Sequence, residues 1–366
     1  MKKLFTLLLS LTLVITMLSG CSKGDATKDE SQTPATTETP AEEPTATTEP
    51  EEGATTDAGV KTGLGIISSI AKSAPAADTD GLGQVDSLAV AVLVGEDGKI
   101  LDCVIDSVQT KINFSKEGKI TTDLAADVKT KQELGLDYGM KKYSPIQKEW
   151  YEQADAFAAY VVGKTMDEVK GIAITEEGLV GDADLATSVT IHVGDFVAAV
   201  EKAVANAQVL GANAGDKLGL GIITDIKKSK DAKAEEDGLA EAYSYYNVVT
   251  VDANSKITSN FLDSSIGDIN FTTAGAITTD LAAPIQTKQE LKDAYGMKKN
   301  SKIGKEWYEQ ANAFSAYVTG KTIDEVKGIA ITEEGVAGDA DLASSVTVHI
   351  GSFIAVLEKA VANVAK

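Results

Sequence analysis

The stretch KEWYEQA at residues 148–154 recurs letter for letter at residues 305–311, and this repeat decides how the chain is organised. Two longer stretches keep the same offset of 157 residues, namely 164–178 with 321–335, which differ at one position, and 120–126 with 277–283, which are identical. A period this long is typical of a duplicated globular domain and not of a solenoid. The sequence therefore predicts two tandem copies of one domain.

The boundaries of the copies follow from working outward from the repeat. GLGII at residues 63–67 has its partner at 219–223. We therefore expect domains at residues 60–205 and 216–366, joined by a Gly- and Ala-rich linker.

Each copy is predicted to have an α+β fold. In the first copy, apolar runs on both sides of the Asp- and Gly-rich turn at 95–99 predict a strand, a turn and a second strand. Ser144 and Pro145 have the residue types that begin a helix, and Gly163 is expected to end it. Thr165 with Glu168 predicts the capped start of a second, short helix. A last helix is predicted from the spacing of apolar residues at positions 196, 200 and 204.

The copies have diverged unevenly. The hairpin region has drifted, since VAVLV at 90–94 corresponds to NVVTV at 247–251, whereas the C-terminal part of each copy is nearly unchanged. A shared function is therefore expected in the C-terminal part. The drifted strands are expected to tune the two copies differently.

The motif with the strongest chemical meaning is DLATSVT at residues 184–190, which returns as DLASSVT at 341–347. It resembles the target motif of bacterial flavin transferases, which esterify the phosphate of FMN onto the final threonine with FAD as donor. Both copies depart from the usual pattern at the Leu and the Val positions. The resemblance implies the cofactor residues Thr190, Thr347, Asp184, Asp341, Ser188 and Ser345.

The N-terminus has the layout of an export signal. Two lysines precede an apolar run that is too short for a membrane span, and residues 18–21, LSGC, resemble the lipobox of bacterial lipoproteins. That resemblance implies a signal peptide at 1–20 and acyl chains, palmitate among them, on Cys21. Residues 21–59 are rich in Thr, Glu, Ala and Pro and lack large apolar side chains, so a disordered acidic stalk is expected.

The lipobox, the stalk and both copies together resemble the flavinylated lipoproteins of Gram-positive extracellular electron transfer (the PplA type). The resemblance rests also on YGMKK at 138–142, KEW at 148–150 and GKT at 163–165. It implies two FMN groups, on Thr190 and Thr347, and an electron carrier more than a substrate-converting enzyme. Its implied partners are a flavin transferase, a quinone-linked electron-donor complex in the membrane and electron acceptors outside the cell. The implied location is the outer face of the cell membrane of a Gram-positive envelope, with the lipid as the sole membrane anchor.

Simple physical arguments add expectations and alternatives. A threonine in the first turn of the last helix would place a phosphate beside free N–H groups, but the Asp, Ser and Thr of the motif are equally typical of helix caps. The aromatic residues Trp150, Trp307, Tyr151 and Tyr308 are candidates for stacking on the flavin ring, with a core position as the alternative. The basic residues Lys141, Lys142, Lys298, Lys299, His192 and His349 are candidates for the flavin surroundings, with a solvated surface position as the alternative.

Composition excludes several function classes. The net charge is −21 and every one of the 34 Lys and Arg residues is lysine, which argues against nucleic acid and against docking of the folded part on anionic lipid. Cys103 is the one cysteine besides Cys21 and lies in an apolar stretch, so a buried structural thiol is expected. With two histidines in the chain, we expect no metal site and no Ser/His/Asp or Cys/His catalytic set. The alternative function is a non-redox surface-binding or wall-associated lipoprotein with a duplicated domain.

Overall fold

The computed structural model describes residues 59–364. The predicted signal peptide, the predicted lipidation site Cys21 and nearly all of the predicted stalk lie outside the described residues. The first half of the described chain, residues 60–205, contains the following strands and helices in order: β1 (Lys61–Ser69), β2 (Gly81–Val94), β3 (Ile100–Phe114), α1 (Lys131–Leu134), α2 (Trp150–Val161), α3 (Met166–Lys170), α4 (Ala183–Ala186) and α5 (Gly194–Ala205).

The second half, residues 216–364, repeats this order. Its elements are β4 (Lys217–Asp225), β5 (Gly238–Val251), β6 (Ile257–Phe271), α6 (Lys288–Leu291), α7 (Trp307–Val318), α8 (Ile323–Lys327), α9 (Ala340–Ala343) and α10 (Gly351–Asn363). Short 3-10 turns follow α1 and α6. The fold is therefore mixed α and β, with helices and strands segregated along each half.

Each half builds one antiparallel sheet of three strands, in the orders β1-β2-β3 and β4-β5-β6. The hairpin predicted around residues 95–99 is confirmed, although its strands are longer than the apolar runs suggested. β2 and β3 pair along almost their whole length, with a register irregularity beside Val94, and the same irregularity recurs beside Val251.

The central strand β2 is buried on both of its faces. Val90 and Val92 pack with the helices α2 and α5, whereas Ala89 and Ala91 pack against strands of the other half. Each sheet is thus covered by its own helices on one side and by the other sheet on the other side. This explains why residues 87–94 are all buried in a strand that would alternate if one face met water.

The contacts between the halves are reciprocal. The N–H of Ala76 donates to the carbonyl of Gly275 (2.9 Å), and the N–H of Ala232, the counterpart of Ala76, donates to the carbonyl of Gly118 (2.7 Å). Phe114 stacks on its own counterpart Phe271 with ring centroids 4.0 Å apart. Such mutual contacts are those of an isologous interface, here made within one chain.

The start predicted for α2 is wrong. The helix begins at Trp150 and not at Ser144, because Glu149 is its N-cap and forms a capping box with Glu152. Residues 144–148 form a turn instead, in which Gln147 has a φ of 54°. The Ser144 hydroxyl accepts the N–H of Lys148 in that turn at 3.4 Å, so a capping residue type is present but caps no helix.

Three other local predictions are confirmed. The Thr165 side chain caps α3, and the Glu168 carboxylate accepts the Thr165 N–H in return. The last helix of the half is α5, with Phe196 and Val200 on its buried face. Cys103 is buried, and burial raises the pKa of its thiol well above the usual range.

Candidate functional site

The first residues of the motif at 184–190 belong to the short helix α4, and the rest lie in the loop that follows it. Asp182, two residues before the motif, is the N-cap of α4, and its carboxylate accepts the N–H groups of Asp184 (3.1 Å) and Leu185 (3.0 Å). Leu185 is buried and fixes the turn to the core. The second half has the same arrangement, with Asp339 as the N-cap of α9.

The threonine that ends the motif is held by a buried glutamine of α2. The Oε1 atom of Gln153 accepts the backbone N–H of Thr190 at 2.8 Å and the Thr190 hydroxyl at 3.2 Å. In the second half Gln310 holds Thr347 with the same two bonds at the same distances. Both threonines are half-buried, and the glutamine fixes the place of each hydroxyl.

Gln153 is the most informative residue that sequence reasoning missed. Its side chain is fully buried, and its Nε2 atom donates to the Ser144 hydroxyl (3.2 Å) and to the carbonyl of Lys148 (3.3 Å). The amide therefore ties the threonine to α2 and to the turn before it. The available signal was a glutamine within the identical KEWYEQA repeat, one turn after Trp150 on the buried face of the helix.

The expected position of the threonine in the first turn of the last helix is wrong. α5 begins at Gly194 with Val193 as N-cap, so Thr190 lies in the loop between α4 and α5. The first-turn N–H groups of α5 are therefore not adjacent in sequence to the Thr190 hydroxyl, so they do not support a phosphate there as predicted. Thr190 also caps neither helix, since neither N-cap is Thr190.

The other motif residues lie close by with different exposure. Asp184 and Asp341 are exposed, while Ser188 and Ser345 are half-buried. The Ser345 hydroxyl donates to the carbonyl of Leu342 at 3.2 Å, which closes the turn after α9. The aspartates are thus the accessible part of the motif, and the serines belong to its internal framework.

Trp150 and Trp307 occupy the core, in agreement with the alternative that sequence analysis left open. Trp150 is 5% exposed and contacts Phe196 edge-on, with ring centroids 5.9 Å apart. Trp307 makes the same contact with Phe353 at 5.7 Å. Neither ring presents a free face for stacking, whereas the neighbouring Tyr151 and Tyr308 are half-buried at the surface of the same core.

A lysine lies over each of these tryptophans. The ammonium of Lys131 lies 4.9 Å from the Trp150 ring centroid, and burial lowers the pKa of Lys131 to about 8. The ammonium of Lys288 lies 5.0 Å from the Trp307 ring centroid, and burial lowers the pKa of Lys288 to about 7. These lysines could not be identified from the sequence, because a lysine in a first helical turn is normally solvated.

The remaining candidates lie at the surface. The basic residues that the sequence singled out are all exposed, namely Lys141, Lys142, Lys298, Lys299, His192 and His349. Among residues 59–364 no group of three or more His, Cys, Asp or Glu side chains is arranged to hold a metal ion. Within the same residues no helix has the length and apolar character needed to cross a membrane.

The threonine hydroxyl is the group at this site to which another molecule could be attached covalently. Each hydroxyl is held by a buried amide and belongs to a half-buried threonine. No enclosed ring-binding slot is formed by the tryptophans, so a flavin ring attached here would lie against half-buried side chains at the surface.

Comparisons with known proteins give one short similarity. The chain is 52% identical over 42 residues to a protein named chlorophenol reductase from Desulfitobacterium hafniense. The match covers 12% of this chain and 13% of that protein. No protein-family model matches the chain, and no solved structure matches it.

Proposed function

We propose that the protein carries one FMN on Thr190 and a second on Thr347 and passes electrons from a membrane-bound donor to acceptors outside the cell. The observation that carries the proposal is that the buried Gln153 and Gln310 accept the same hydrogen bonds from the two threonines. A helix cap needs no such support. The caps of α4 and α9 are Asp182 and Asp339, so capping does not account for the threonines.

The roles of the chain's own residues follow from this geometry. Gln153 would hold the Thr190 hydroxyl so that its oxygen can bond to the flavin-side phosphorus of FAD. The phosphoanhydride bond of FAD breaks in that step, AMP leaves, and the hydroxyl proton is released to solvent. After that step the Thr190 N–H still donates to Gln153, so the attachment point stays anchored to α2. When bound, FMN supplies a group that takes up and releases electrons.

The similarity to a protein named chlorophenol reductase is compatible with a redox role. It spans too little of either chain to transfer that protein's activity. The chemistry of the duplicated site therefore carries the proposal, together with the resemblance to flavinylated lipoproteins.

The test is the intact mass of the protein produced with an active flavin transferase. We expect two FMN-sized additions, one lost in Thr190→Ala, the other in Thr347→Ala, and both in the double variant. Thr190→Ser keeps a hydroxyl and should keep its addition. Thr175→Ala is the matched control, because Thr175 is an exposed threonine of the same half that lies outside the motif.

The glutamine variants test the positioning role separately. Gln153→Leu should lower flavin attachment at Thr190 about tenfold or more and leave attachment at Thr347 unchanged, because the second half is an internal control in the same molecule. Equal attachment at both threonines in this variant would show that the transferase does not need the glutamine.

The same experiment separates the alternative function. If no addition forms while the transferase modifies another substrate, the flavin proposal is wrong and the alternative of a non-redox surface-binding lipoprotein is favoured. The proposed location has its own test, since Cys21→Ala should abolish palmitate labelling and release the protein from the membrane fraction.

A further inference from the structure

A cavity of about 600 Å³ lies where the two halves meet, apart from both threonines. Its walls come from β3 and α2 of the first half and from β4 and the end of α10 of the second half. This volume is within the usual range of about 300–1,000 Å³ for small-molecule sites. A pocket shared by two packed units is also a common place for such a site.

Three carboxylates share the cavity with the polar side chains of Gln132, Lys217 and Asn363. Asp102, Asp106 and Asp155 line it, and among the described residues Lys217 is the one lysine that does. Asp106 is 3% exposed, and burial raises the pKa of its carboxyl to about 6. Lys217 is exposed to solvent, so its charge is screened and offsets that of Asp102 weakly.

The remainder of the wall is apolar. Ala158, Val162, Leu218 and Leu220 lie beside the carboxylates. A ligand with one positive group and a compact apolar body therefore fits the cavity, because the carboxylates complement its charge and the apolar wall complements its body. An anion of the same size would be repelled by the carboxylates.

The duplication shows that the carboxylates are not required by the fold. At the corresponding positions the second half has Ser259 for Asp102 and Asn312 for Asp155, while the buried Asp106 is kept as Asp263. Asn312 accepts the Nε2–H of Gln289 at 2.8 Å, just as Asp155 accepts the Nε2–H of Gln132 at 2.7 Å. The extra negative charges are therefore specific to this junction.

The volume of the cavity also depends on a residue that differs between the two halves. Val104 lines the cavity, and its counterpart in the second half is the larger Phe261. Valine at position 104 leaves room that a phenylalanine would fill.

We propose that this junction cavity binds a small organic cation, a primary ammonium on a short apolar body. The ammonium is held by the carboxylates of Asp102 and Asp155, and the body packs against Leu218 and Val162. Asp106 adds negative charge to the wall, while its carboxylate already accepts the N–H groups of Ser107 (2.7 Å) and Gln132 (3.1 Å). The site is independent of the threonines, so it does not rest on the proposed flavin function.

The test is calorimetric titration of the full-length protein with three matched probes: phenethylammonium, the neutral phenethyl alcohol and the anionic phenylacetate. We expect saturable 1:1 binding of phenethylammonium and affinity at least about tenfold weaker for the alcohol. Phenylacetate should give no saturable binding. Equal affinity for the ammonium and the alcohol, or no saturable binding of the ammonium, would overturn the proposal.

Variants taken from the second half locate the site without threatening the fold. Asp155→Asn should weaken binding of phenethylammonium about tenfold, and Val104→Phe should abolish it by filling the cavity. The matched controls Asn312→Asp and Phe261→Val change the other junction and should leave the affinity unchanged. Full binding by a Val104→Phe variant with wild-type thermal unfolding would place the ligand elsewhere and refute the assignment.

Discussion

Lys131 in the first half and Lys288 in the second occupy the same place in the repeat but have different surroundings. Lys288 is enclosed by three aromatic rings, those of Tyr243, Tyr295 and Trp307, and its ammonium donates to the Tyr243 hydroxyl. Lys131 lies over two rings, and the counterpart of Tyr243 is Asp86, which pairs with Lys72 at 2.8 Å.

The difference arises from the strands. The tryptophan under each lysine belongs to the identical KEWYEQA repeat, whereas Asp86 and Tyr243 lie on β2 and β5, in the region that has drifted. A carboxylate stabilises a nearby ammonium and an aromatic cage excludes water from it, so the pKa of the lysine is lower in the second half than in the first. The helical part of each half thus fixes the position, and the strands tune the electrostatics.

The largest expected effect tests whether the two halves really share their packing. A Cβ at Gly65 would lie 2.2 Å from the Ala199 carbonyl oxygen, and one at Gly221 would lie 2.4 Å from the Val356 carbonyl oxygen. Because backbone cannot yield as a side chain can, Gly65→Ala and Gly221→Ala should each lower the free energy of unfolding by about 3 kcal/mol or more. Urea unfolding measures both losses.

The matched controls are Gly194→Ala and Gly351→Ala, at the first residues of α5 and α10. A Cβ at either position meets nothing within 4 Å, so each change should stay below about 1 kcal/mol. A large loss at Gly65 with tolerance at Gly221 would mean that the strand and the helix pack differently in the two halves.

The second prediction concerns pH and the two lysines. The folded pKa of Lys288 is about 7, against about 10.4 in an unfolded chain. Between these values the unfolded chain binds a proton that the folded one lacks, so the free energy of unfolding rises with pH, by up to about 1.4 kcal/mol per unit. The effect of Lys131 has the same sign but begins near its folded pKa of about 8.

Urea unfolding between pH 7 and 8.5 distinguishes the two. Lys288→Met should flatten the rise from pH 7 onward, whereas Lys131→Met should flatten it only above about pH 8. The buried Asp106 and Asp263 have raised pKa values of about 6 and about 7 and act with the opposite sign at lower pH, which is why the range starts at 7. Identical slopes in the wild type and in Lys288→Met would contradict the cage.

The third prediction rests on the proposed function and concerns the reduction potentials. In Thr347→Ala and Thr190→Ala the protein would carry a single flavin, in the first and in the second half respectively. We expect their midpoint potentials to differ by about 30 mV, which corresponds to about 1.4 kcal/mol for a two-electron couple. Superimposable redox titrations would show that the drifted strands do not reach the flavins.

A strand variant sharpens this test. Tyr243→Asp gives the second half the residue that the first half has at this position. The change lies beside Lys288, whose ammonium contacts Trp307, and Trp307 lies one turn before Gln310 on α7. The potential of the flavin on Thr347 should then move toward that of the flavin on Thr190. The potential of the flavin on Thr190 should not change.

The sequence predicted the elements whose causes are local. The hairpin around residues 95–99 and the cap formed by Thr165 and Glu168 follow from neighbouring residues, and both are confirmed. The start of α2 was missed because the position of Glu149 depends on residues earlier in the chain. Its carboxylate also accepts the N–H groups of Met140 and Lys141.

The candidate site was predictable only as far as its motif. Thr190 was identified from its sequence surroundings, but its hydrogen bond to Gln153 joins residues that are 37 positions apart. The burial of the two sheets against each other also has no local sign, because an apolar strand reads alike whether a helix or another sheet covers it. The repeat supplied what local patterns could not, namely a second copy against which each contact can be compared.

The smallest expected effect concerns the ion pairs that join the halves. Lys202 of the first half pairs with Glu290 of the second at 2.6 Å, and Lys359 of the second pairs with Glu133 of the first at 2.8 Å. All four side chains are 20–31% exposed, so each pair should contribute less than about 1 kcal/mol.

The variants Glu290→Gln and Glu133→Gln remove the charge, but their side chains can still accept the capping N–H groups of α6 and α1. Both losses should be equal in urea unfolding at low salt and should shrink together in 0.5 M salt, as about 4–5 Å of screening length implies. A loss confined to one pair would show that the reciprocal interface is not energetically symmetric, in line with the drift already seen around the buried lysines.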